Sequence, residues 1–257
     1  MQQMSHQMEP LISAVLESQR EALAAMWQDF HEKMGPVFAS LEIDAQAVGP
    51  VFQQAGFWIS PSMPMTILRE AKHLQDQGAL TPSTLKDVIL TYYRQDNWEP
   101  LQDMVVGWQG DDLFARRMPI IRDALEAHIA GKYTLSVPAL LPQVEGIASG
   151  IVGLPPGKSK RVVTGAVETE LGDFLAPVAR DALVSFVTGM LYPGVDFGAF
   201  DEWLEMKGWQ SPEALHRHAI LHGAQVEYAS EENSLRAFLL LDALASALRH
   251  HRWTQGT

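Results

Sequence analysis

Residues Ser230–Arg252 read S-E-E-N-S-L-R-A-F-L-L-L-D-A-L-A-S-A-L-R-H-H-R. Leu235, Phe238, Leu239, Leu244 and Leu248, with Asp242 among them, recur at the three- and four-residue spacing that puts side chains on one face of a helix. Ser230 stands where a capping hydroxyl belongs. Glu231 and Glu232 occupy the first turn and the basic R-H-H-R of residues 249–252 the last, each complementing the helix dipole at its end. Asn233 reads as a helix-start residue. A segment so complete as a helix fixes an expectation for its neighbours.

Working outward, the preceding segment starts at Ser211-Pro212-Glu213, a cap followed by proline and an acid, and its signal stops at Gly223. Two earlier helices are expected, one from about Val137 to Ile151 carrying Leu140, Leu141, Val144 and Ile147, the other from about Asp173 to Leu191 carrying Leu175, Val178, Ala182, Phe186 and Met190. Between them L-P-P-G-K-S-K-R places Lys158, Lys160 and Arg161 in a turn without an acid. Upstream, Leu11, Val15, Ala22 and Met26 suggest an amphipathic helix, Thr81-Pro82 opens another, and Asn97 looks like a cap before Leu101, Met104 and Val105. Asp111 or Asp112 could open one through Phe114, Met118, Ile121 and Ile129 to Gly131, kinked at Pro119. No sustained alternation of apolar and polar residues demands a sheet. The expected class is all-α: residues 1–130 a helical amino-terminal region, residues 131–257 a helical bundle.

Composition narrows the setting. The chain has 257 residues, 47% of them hydrophobic, enough to bury a sizeable core. With no cysteine, disulfides and thiolate metal sites are excluded. A formal charge of −12 has the wrong sign for a protein that coats nucleic acid, so any phosphate site must be local. Without a basic n-region before an apolar run, or 18 consecutive apolar residues, the expectation is a soluble, cytoplasmic protein that neither enters nor crosses a membrane.

Within the third segment, Leu215–Gly223 reads L-H-R-H-A-I-L-H-G and gathers Arg217, His218 and His222 at one helix end. On an ideal helix Arg217 and His222 lie about 7.5 Å apart along the axis and about 140° around it. Arginine's length and a helix that ends at Gly223 relax that separation, and partners from two copies of the chain would remove it. A helix carboxyl end also favours an imidazolium, which suits proton exchange near neutral pH.

Arg217-His218-Ala219-Ile220-Leu221-His222-Gly223 resembles the signature of the HEPN superfamily: an arginine, a polar residue, and a histidine after four to six positions, often with a small residue following. The four segments between about residues 136 and 252 resemble that family's four-helix bundle with the motif on its third helix. The resemblance implies a metal-independent endoribonuclease of defence or toxin type, with RNA cleaved in a cleft shared by two protomers and no cofactor. It also implies a restraining partner or antitoxin. Arg217 and His222 would be catalytic, with His218 and Glu145 auxiliary; Glu145 resembles an acid that some members bring near the motif. Lys158, Lys160 and Arg161 would guide the RNA backbone. Tyr228 stands six positions beyond His222, where tyrosines of some relatives stand two.

Other readings compete. Twelve arginines and nine histidines give about one such spacing by chance, and Arg122-Asp123-Ala124-Leu125-Glu126-Ala127-His128 also fits. That match lies mid-helix, where a histidine is usually structural. His218 and His222 at i, i+4 could chelate a metal, but no third ligand or H-E-x-x-H accompanies them, so no metal is expected. Seven tryptophans and eleven methionines read as core filling. The alternative function is a non-catalytic HEPN-like module for protein interaction or assembly.

Overall fold

The computed structural model describes residues 44–60, 62–151, 215 and 217–255, with the side chains of 218, 247 and 250–255 outside that description. Every regular element among them is helical and no strand occurs, so the chain is all-α. In chain order the helices are α1 (44–54), α2 (Met65–Asp76), α3 (Pro82–Tyr93), α4 (Gln95–Val106), α5 (Asp112–Ala115), α6 (Met118–Ile129), α7 (Tyr133–Ile151), α8 (Arg217–Leu221) and α9 (Glu231–Gln255). The expected helices at Leu11–Met26 and Asp173–Leu191, the start at Ser211 and the basic turn at 154–161 lie outside the described residues. No helix among the described residues is long and apolar enough to cross a membrane.

Two helices carry the core. Residues 233–246 of α9 are buried without interruption, so this helix is enclosed on all sides rather than laid on a surface. α7 packs against it and against α6, α8 and α5, burying Val137, Leu140, Leu141, Val144, Ile147 and Ala148. Helices on both sides of residue 131 share this interior, within one compact unit spanning Ala45–Thr257.

The polar residues of α9 tie it to its surroundings in three directions, as buried polar groups require. Ser234 Oγ lies 2.8 Å from His128 Nδ1 on α6 and 2.6 Å from Ser136 Oγ on α7. Arg236, 2% exposed, donates to the Ala55 carbonyl at 2.6 Å and to Asn233 Oδ1 at 2.9 Å, pairs with Glu232, and lies 4.9 Å above the Phe57 ring. Asp242 accepts from Trp108 Nε1 at 3.0 Å and from Ser62 Oγ.

Local signals explain the helix ends. Thr81 caps α3 reciprocally with Thr84, its Oγ1 accepting from Thr84 N at 3.2 Å while Thr84 Oγ1 accepts from Thr81 N at 2.9 Å. Ser230 Oγ accepts from Asn233 N at 3.1 Å at the start of α9. Two expectations change. Pro119 does not kink one long helix: the chain breaks after Ala115 and restarts at Met118, so the proline occupies a first-turn position where its missing N–H costs nothing. Asn97 is not a side-chain cap but the centre of a left-handed turn, with φ of 46°, 56° and 68° at Asp96, Asn97 and Trp98. Such residues cost roughly 1–2 kcal/mol each. The turn sets the Trp98 ring edge-on against the His128 ring, with 4.2 Å between centroids.

Candidate functional site

The geometry at L-H-R-H-A-I-L-H-G begins with how α8 ends. Gly223 N donates to the Ile220 carbonyl at 3.1 Å and Ala224 N to the Ala219 carbonyl at 2.8 Å, the two bonds of a Schellman stop. The φ of +75° at Gly223 is the left-handed geometry that this motif asks of glycine. His222 is therefore the last residue before the chain turns, and it is exposed. Ala219 and Ile220 are buried, which orients α8 on α7.

Arg217, the first residue of α8, reaches α7. Its Nη2 pairs with Glu145 Oε2, and the two side chains are 20% and 17% exposed. Nε of Arg217 is buried with no hydrogen-bond partner among the described residues. Glu145 can sit here because α7 presents it one residue from the buried Val144 stripe and next to Gly146. A half-buried ion pair fixes a guanidinium more firmly than a surface pair, since less water competes for either partner. Arg217 and Glu145 are thus brought together, while His222 stands exposed just beyond the other end of α8.

The other proposed residues stand as follows. His218 lies in α8, and its side chain is outside the described residues. Lys158, Lys160 and Arg161 are outside them entirely. Tyr228 acts structurally, since Pro138 has no N–H to offer the Thr134 carbonyl one turn earlier and the Tyr228 hydroxyl donates to that carbonyl at 3.4 Å. Asn233, at the start of α9, donates to the Tyr228 carbonyl at 3.0 Å and holds the same loop.

The competing pair, Arg122 and His128, is divided between surface and core. Arg122 is exposed, whereas His128 is wholly buried among Trp98, Tyr133 and Phe238. Burial pushes the His128 imidazole down to about 4, with Glu231 opposing weakly, so it is neutral near pH 7. Among the described residues, no three His, Asp or Glu side chains gather to hold a metal ion.

Sequence reasoning missed Asp242 and Arg236 as buried charged groups. Their signal was present, because a lone acid and a lone base inside S-L-R-A-F-L-L-L-D-A-L must find partners if that run is interior. Compared with known proteins, the chain matches no family model, no curated protein and no solved structure.

Proposed function

We propose that the protein is a metal-independent endoribonuclease of defence or toxin type, built on a HEPN-like four-helix bundle to which α7, α8 and α9 contribute. The observation that carries this reading is the pairing of Arg217 with Glu145 beside a helix that ends at exposed His222. Two protomers bring two such sets to one cleft. His222 of one takes the proton from a ribose 2′-OH, the 2′-oxygen attacks phosphorus, and the bond to the 5′-oxygen breaks. The 5′-oxygen then receives a proton from the same histidine of the second protomer. Arg217, oriented by Glu145, offers its guanidinium to the phosphate oxygens as charge grows on them. Exposed Leu221 and Val226 flank His222 and supply apolar area for the protomer contact. A restraining partner or antitoxin would cover the same surface.

The test is cleavage of RNA in EDTA. The expected products carry a 2′,3′-cyclic phosphate and a 5′-OH, deoxyribose at the scissile position abolishes the cut, and His222→Ala is inactive with an unchanged melting temperature. Cleavage of the deoxy-substituted strand, or a requirement for divalent metal, refutes the mechanism. A folded dimer that cuts no RNA identifies a non-catalytic assembly module instead.

A further inference from the structure

Asp242 lines a cleft of about 330 Å³ whose lining includes neither Arg217 nor His222. The side chain is 5% exposed, yet its two hydrogen bonds, from Trp108 Nε1–H and from the Ser62 hydroxyl, come from neutral donors. No Lys, Arg or His among the described residues lies within ion-pair distance of it. A carboxylate accepts about four hydrogen bonds, so acceptor capacity remains, and a charge withdrawn from water without a counter-charge is costly. Tyr92, Tyr93, Trp108 and Met104 supply aromatic and thioether wall, and the same lining also includes Ser62 and Arg249. Asp103 adds a second carboxylate on an exposed turn of α4.

We propose that this cleft binds a small organic molecule bearing a primary ammonium group on a compact apolar body, with the ammonium on Asp242 and the body against the aromatic walls. Three features favour an ammonium over a metal ion. Hard cations ask for six or more oxygens, whereas two carboxylates among aromatic and thioether side chains suit an N–H donor with a hydrophobic body. Tyr and Trp faces attract an organic cation directly. The volume admits a ligand of small-molecule size and no macromolecule. Arg249 stands two turns along α9 from Asp242 on the same face, about 10 Å away along the axis, and is drawn to Asp111 at 3.9 Å and to Ser246 Oγ at 3.2 Å. Its charge therefore sits at the far edge and disfavours a second cationic group there. Tyr93 remains a protonated phenol at any ordinary pH, raised by burial and then by the Asp242 carboxylate, and can act as a donor but supplies no charge.

The left-handed turn at Asp96–Trp98 immediately precedes Pro100, Asp103 and Met104 on the cleft wall. Strained backbone of this kind is maintained where surrounding structure over-determines it, and here it sets the wall's position.

Isothermal titration of the full-length protein with phenethylamine and with 2-phenylethanol, its neutral isostere, tests the assignment. The amine should bind at least tenfold more tightly, and Asp242→Asn should abolish that preference while circular dichroism remains native. Met104→Trp, a change at a half-buried wall, should weaken both probes and decides the matter if Asp242→Asn fails to fold. Equal binding of amine and alcohol, no binding of the amine at millimolar concentration, or amine binding undiminished in both variants would overturn the proposal. RNA cleavage plays no part in these readouts, so neither proposal stands or falls with the other.

Discussion

Replacing Gly56 by alanine should destabilise the protein far more than the same change at Gly223, although both glycines have a left-handed backbone. Their φ values are +73° and +75°, so the conformational penalty of an alanine is the same at each, roughly 1–2 kcal/mol. The stiffening of the unfolded chain is also common to both and cancels in the comparison. Space is what differs. A Cβ at Gly223 meets nothing within 4 Å, whereas one at Gly56 would stand 2.8 Å from Arg236 Nη2 and 3.0 Å from its Cζ. That guanidinium is almost wholly buried and cannot swing into water. Moving it sacrifices its bond to the Ala55 carbonyl, a hydrogen bond from a charged donor worth roughly 1.5–3 kcal/mol. Gly56→Ala should therefore cost about 2.5–5 kcal/mol in total. Equilibrium urea unfolding of the two variants measures the difference, and in an Arg236→Met background the excess at Gly56 should vanish. A difference below about 0.5 kcal/mol would mean that Arg236 does not hold the segment before α2 as described.

Acid should weaken the fold through His128: with its imidazole at about 4 when folded and 6.5 when unfolded, its contribution is complete above pH 6.5 and is lost as pH falls toward 4. The loss is about 3 kcal/mol by linkage, and His128→Phe should flatten that part of a urea-midpoint profile against pH. Glu145→Gln should lower RNA cleavage about tenfold by loosening Arg217, yet cost only about 1–2 kcal/mol of stability because the glutamine amide oxygen can still accept from the Arg217 guanidinium; a large loss of stability with full activity would make the pair purely structural. Sedimentation should show a dimer at micromolar concentration, and a strict monomer with and without RNA would remove the shared cleft.

The helical class was legible because caps and periodicity agree: Thr81-Pro82, Ser230 and Gly223 mark ends where the chain indeed turns. The left-handed turn before Pro100 was not, since Asn97 signals a cap and a left-handed residue equally, and only the packing of Trp98 on His128 separates them. Pro119 misled for a related reason: the spacing of Phe114 and Met118 suits one continuous helix, and the break between them satisfies the same burial. At the site, spacing alone could not choose between Arg217–His222 and Arg122–His128. Burial is what spacing does not convey: the second pair has its arginine in water and its histidine in the core. Asp242 went unrecognised because its donors, Ser62 and Trp108, are 180 and 134 residues away in the chain.

The enclosure of α9 has a consequence for biosynthesis. The described helices that pack most on α9, α6 and α7, are made before it, so they leave the ribosome with part of their apolar surface turned toward an empty axis. At about 5–20 residues per second, the interval between completing α7 at Ile151 and reaching Ser246, the last residue of the buried stretch of α9, is several seconds or more. Throughout it Leu140, Val144 and Ile147 lack the partner that buries them, and chains halted within it would expose this surface to aggregation or capture by chaperones. Arg217 and His222 also precede α9, so the proposed catalytic pair is translated before its scaffold can close.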